Sequence, residues 1–196
     1  MKQITIFVTT ATALLGMLTA CSMGNDNKGE AVQADTIASD AFTPEAAVAH
    51  YLADSIGQYY SPGDLCIPSI TVIDLDSSSA QDIKLWGDFW VFNYKQEGDT
   101  LMCVSGGSHP GLMHLRQAGD TYEVTAFDPI LDGSQFLPSA HEIFGDRFDN
   151  FLKVNSDEKT REATRRKAII DYAKQHDITA TYYKDYGWPA KAIFDQ

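Results

Sequence analysis

The chain has 196 residues, 44% of them hydrophobic, and carries 15 basic against 27 acidic side chains for a net charge of −12. That length suits one domain with a proper core plus peripheral segments. So acidic a balance argues against a nucleic-acid partner, whose phosphate backbone needs clustered Lys and Arg. The charge is uneven: residues 21–130 hold 4 basic and 16 acidic groups, residues 131–196 hold 10 and 11. The basic run RRK at 165–167 reads as structural, since it falls late in an expected helix where cations complement the macrodipole.

The chain opens MKQITIFVTTATALLGMLTACS, with Lys2 ahead of an uncharged, mostly apolar stretch from Ile4 to Leu18. That stretch is too short for a permanent membrane span and has the form of a signal peptide, residues 1–20. Leu18-Thr19-Ala20-Cys21 resembles the lipobox of bacterial lipoproteins. The resemblance implies cleavage before Cys21, acylation of that cysteine, and a lipid-anchored protein exported to the cell envelope, facing the periplasm or the surface. Several acyl chains, at about 0.8 kcal/mol per buried methylene, would hold a domain to a membrane almost irreversibly. Residues 21–41 then form a lipidated tether, small and polar, that cannot bury enough surface to order itself. Residues 42–196 form the domain.

TPEAAVAHYLADSIGQYY, from Thr43, reads as a helix. Thr43 caps it, Pro44 takes the first turn, and Val48, Tyr51, Leu52, Ser55, Ile56 and Tyr59 make the buried stripe. Extended segments are expected at 66–75, 83–95, 100–105, 112–117 and 121–128. QEGDT at 96–100 and QAGDT at 117–121 serve as hairpin turns around Gly98 and Gly119.

IKLWGDFWVFNYK, residues 83–95, is apolar on both faces: Leu85, Phe89 and Val91 point one way, and Trp86, Asp88, Trp90, Phe92 and Tyr94 the other. Leu101, Cys103 and Ser105 should join the second face. Met113 and Leu115 should share a face with Tyr122 and Val124, with Glu123 pairing across to His114 or Arg116. Residues 106–111, GGSHPG, read as a shaped hairpin loop.

After Asp128-Pro129 the pattern returns to helix. Short turns are expected over 138–154, then a longer helix capped by Asn155 or Ser156. Its first half is polar all round, so only Ile169, Ile170, Tyr172 and Ala173 should dock. The tail from Ile178 to Phe194 adds a short strand and an aromatic plug.

This is an α+β arrangement: an N-terminal helix packed on a curved antiparallel sheet of four to five strands, with C-terminal helices. WGDFWVFNY resembles a central strand of the cystatin-like and nuclear-transport-factor-like folds, where a sheet wraps one helix. That resemblance spans residues 43–128 and implies a concave space serving as ligand pocket, enzyme site or partner surface.

No metal or cofactor motif survives inspection. HEIFG at 141–145 has glycine where a zincin's second histidine belongs, and the Asp74/Asp76 stretch lacks the glycine and glutamate of a calcium loop. Pro110 stands where a hydrolase elbow needs glycine. Cys66 and Cys103 form a candidate disulfide in an oxidising compartment, although one intervening strand would hold them too far apart. Asp88, a carboxylate among aromatics, is the most informative single residue.

The leading expectation is therefore a non-catalytic envelope lipoprotein, its lipid partner held through Cys21, that binds an unknown small molecule or envelope protein through Trp86, Asp88, Trp90, Tyr94 and His109. The alternative is a hydrolase or isomerase using Asp88 with His114 in the same cavity. A third reading is a structural or inhibitory partner protein acting through its tail helix and loops.

Overall fold

A computed structural model of the chain describes residues 42–194. Cys21 and the signal-peptide and tether segments lie outside the described residues. The domain is α+β, as the alternation of patterns implies, but its sheet has seven strands and is mixed.

Helix α1 spans Pro44–Tyr51, and Thr43 caps it by accepting from the Ala46 amide at 3.1 Å. Past Tyr51 the coil widens into a π turn, Leu52–Ile56, then tightens into a 3-10 turn, Gly57–Tyr59. The change of pitch moves the apolar stripe. Val48 and Leu52 are fully buried, but Tyr59 swings out to 83% exposure, and Tyr60 packs against the core in its place.

Strand β1 (Leu65–Asp76) lies antiparallel to β2 (Ile83–Glu97) along most of its length. The other edge of β2 carries two strands end to end. β3 (Thr100–Ser108) pairs with its C-terminal half and β4 (Gly111–Ala118) with its N-terminal half. Trp90 opposes Ser108 and Gly87 opposes Gly111, so the chain holds one register across residues 109–110. Residues 106–111 are thus no hairpin loop. They are an interruption in a nearly straight run, held by the His109 amide on the Phe89 carbonyl at 2.7 Å. The glycines serve close approach: a side chain on Gly107 would collide with the Tyr60 hydroxyl.

At the interruption the outer neighbour changes. β5 (Thr121–Pro129) joins β4 antiparallel, while β6 (Tyr182–Asp185) joins β3 in parallel, with β7 (Lys191–Ala192) beyond it. Gly98 and Gly119 take positive φ at their turns. Arg116 meets Glu123 at 2.6 Å. A bulge beside Val104 shifts parity, so Cys103 opposes Tyr94 as expected but Ser105 opposes Asn93 on the other face.

One face of β2 (Ile83, Leu85, Phe89, Val91) is buried beneath α1 together with Met113 and Leu115. Burying an apolar side chain of this size contributes roughly 2 kcal/mol. The opposite face is covered by α2 (Phe136–Phe144), α3 (Phe148–Ser156) and α4 (Glu158–Gln175). Asp157, rather than Asn155 or Ser156, caps α4, accepting from the Thr160 amide at 3.0 Å. No helix of the described residues is long and apolar enough to cross a membrane.

Candidate functional site

The tryptophan-bearing face of β2 is packed, and arginines do much of the packing. Arg147 lies over the Trp86 ring at 3.9 Å, Arg161 over Trp90 at 5.0 Å and Arg165 over Phe92 at 4.1 Å. The polar first half of α4 therefore docks, contrary to the expectation that only its second half would. Long cationic stems cover aromatic rings while their heads find partners. Arg165 is 5% exposed. It donates to the Tyr94 hydroxyl at 2.7 Å and grips Asp185 through both terminal nitrogens, at 3.0 and 2.8 Å. The RRK run is structural, but its first arginine is held by these bonds, not by the end of a helix dipole.

Each expected site residue can now be placed. Trp86 is buried and donates to the Ile143 carbonyl at 2.9 Å. Tyr94 is fully buried, and burial raises its phenol above the ordinary range. Trp90 is half-buried and stacks on Phe92, their planes 9° apart; among the described residues its indole N–H has no hydrogen-bond partner of good geometry. Asp88 is 2% exposed. Burial pushes its carboxyl up, and nearby Trp90, Arg161, Asn155 and Ser108 offset that only in part. The Ser108 hydroxyl reaches it at 3.5 Å.

The histidines do not join Asp88. His109 opposes Phe89, turns to the α1 face and meets the Tyr60 hydroxyl at 2.8 Å. Burial lowers the pKa of its imidazole. His114 pairs in register with Lys84, four residues along β2 from Asp88, or about 13 Å. There it sits between Asp82 at 2.7 Å and Asp128 at 3.3 Å. The structure thus assembles neither an Asp88–His109 nor an Asp88–His114 pair.

Cys66 and Cys103 are both free. Cys66 packs under α1 and Cys103 under α4, on opposite faces of the sheet, so the candidate disulfide is not formed. Burial pushes the Cys103 thiol up to about 11 and raises Cys66 as well, leaving both poor nucleophiles. Among the described residues no group of three His, Cys, Asp or Glu is placed to hold a metal ion.

An open concavity lies elsewhere. A groove of about 740 Å³ runs between α1 and α4, with β1 as its floor. One wall presents Ala46, Ala49 and Ala53, the other Ala168 and Tyr172. Ile67, Pro68 and Ile70 form the floor. Sequence reasoning passed over it because small alanines carry no chemistry. Two signals pointed there: Pro68 inside a strand, which marks an edge, and alanines at 46, 49 and 53, a second, narrow helix face.

No protein-family model matches the chain, and neither a curated protein nor a solved structure shows significant similarity to it. Function has to be argued from the groove itself.

Proposed function

We propose that this is a cell-envelope lipoprotein, anchored through acylated Cys21, whose domain is a non-catalytic binding module for a polypeptide partner received in the α1–α4 groove. One observation carries the binding half. The aromatic face expected to hold a guest is filled by α2–α4, whereas the groove over β1 stays open, with alanines on both walls and Ile67, Pro68 and Ile70 on its floor among polar side chains at its rim. A binding role is favoured over catalysis because Asp88 stands apart from both histidines and the two half-buried thiols have raised pKa values. The lipid half is supported by the position and composition of Leu18–Cys21.

Two measurements test the reading. Cys21→Ser should abolish incorporation of labelled fatty acid and release the protein from membranes; retention of both would contradict the anchor. A peptide array tiling envelope proteins should yield extended ligands for the soluble mature chain. Ala49→Trp, which fills the groove, should weaken them at least tenfold with the thermal midpoint little changed. Binding indifferent to Ala49→Trp would contradict the groove.

A further inference from the structure

We infer that the partner binds by adding a β-strand to the free edge of β1, so that the ligand class is an extended, largely uncharged peptide with small side chains toward the groove walls. This deepens the proposed groove reading and rests on it.

The argument begins with backbone direction. In an antiparallel ladder, successive residues turn their N–H and C=O groups to opposite sides. The Phe89 carbonyl accepts from His109, so Phe89 faces β3 and β4. Asp88, Trp90 and Phe92 therefore turn their polar groups toward β1, where they oppose Thr71, Ser69 and Ile67. The intervening residues Cys66, Pro68 and Ile70 must point theirs away from β2. No strand among the described residues pairs on that side of β1.

Pro68 agrees with this assignment. Its ring nitrogen has no proton to give, and it falls where no ladder bond to β2 is lost. The edge thus offers two donors, at Cys66 and Ile70, and three acceptors, at Cys66, Pro68 and Ile70. Edges in native proteins are usually blunted by charge, proline, a bulge, a covering element or shortness. Here Pro68 removes one donor and the ladder is irregular between Val72 and Asp74, which leaves Cys66–Ile70 as the stretch open to pairing. The groove runs along the Cys66–Ile70 part of this twelve-residue strand.

The walls restrict what can lie there. Alanines at 46, 49 and 53 and at 168 leave space beside the β1 edge for a strand with short side chains. Charge narrows the class further. On a chain of net charge −12, the groove's charged groups are Glu45 and the mutually paired Lys167 and Asp171, 2.6 Å apart, with the imidazoles of His50 and His176 beside them. A nearly neutral strip suits a nearly neutral ligand, held by main-chain bonds with specificity from alternate side chains.

The experiment uses the full mature chain bearing Cys21→Ser, isotope-labelled, with a blocked nonapeptide of alternating threonine and valine as probe. Amide hydrogen exchange is followed by NMR. With excess probe, the Cys66 and Ile70 amides should exchange at least tenfold more slowly, and the same peptide N-methylated throughout should have no effect. Pro68→Ala restores one donor and should tighten the probe about fivefold. Three outcomes would overturn the inference: unchanged exchange at Cys66 and Ile70 with probe present; protection in the probe-free chain that vanishes when residues 22–41 are removed, which makes the chain's own leader the occupant; or protection that grows with protein concentration as a dimer forms. If array ligands are lost on Ala49→Trp yet leave those two amides unprotected, the groove stands and strand addition falls.

Discussion

Arg165 joins four aromatic or acidic groups from two strands: Phe92 and Tyr94 on β2, Tyr183 and Asp185 on β6. Replacing it with methionine keeps most of the stem but orphans the Tyr94 hydroxyl and one end of the Asp185 pair. Because Asp185 is half-exposed, the loss should fall below that of a wholly buried pair, at about 2 kcal/mol in urea unfolding. A change under a few tenths would mean the arginine is only a cover. Asp88 gives the opposite sign. Its carboxyl is raised in the fold by burial, so the folded state holds a proton that the unfolded chain has already released. Its contribution to stability is therefore full below the unfolded pKa of about 4 and is lost as pH rises through the higher folded value. Asp88→Asn should stabilise the protein at pH 7, with the gain closing below about pH 4. Marked destabilisation at pH 7 would instead make Asp88 an ionised partner of Arg161.

The elements divide into those that local pattern specifies and those that context decides. Four strands were legible to within two residues at each end, because turn glycines and alternating apolar positions agree there; β3, expected to end at residue 105, runs on to Ser108. The start of α1 was legible for the same reason, through Thr43 and Pro44. Its end was not: a π turn leaves no compositional mark, and it exchanged Tyr59 for Tyr60 in the core. The GGSHPG stretch misled because its residues are those of a turn, whereas here the glycines admit Tyr60 and the neighbouring strand. Gly107→Ala should therefore cost 1 to 3 kcal/mol by pushing Tyr60 off His109, an overpacking penalty of about that size; unchanged stability would mean that Tyr60 has room to move. Of the candidate site, Trp86, Asp88, Trp90 and Tyr94 do share one face of β2, but the expected hollow there is filled by helices, and His109 lies on the other face. A helix polar all round gives no sign that arginine stems will serve as its inner face.

At the scale of the molecule, β2 is the axis: α1 covers one face, α2–α4 the other, and its edges carry β1 on one side and β3 and β4 on the other. That layout leaves β1 as a long edge flanked on both faces by helices. It is why a groove forms there and why the aromatic face is closed. Neither thiol is bridged, so reductant should leave the thermal midpoint of the purified chain unchanged; a drop of several degrees would show a disulfide that the arrangement of faces forbids. The most direct test of a groove-binding module is chemical-shift mapping while an array-selected peptide is titrated into the Cys21→Ser chain. The account predicts perturbations that converge on Ala46, Ala49, Ile70, Ala168 and Tyr172 and spare the indole signals of Trp86 and Trp90. Perturbations centred on those two indoles, with the groove silent, would contradict it.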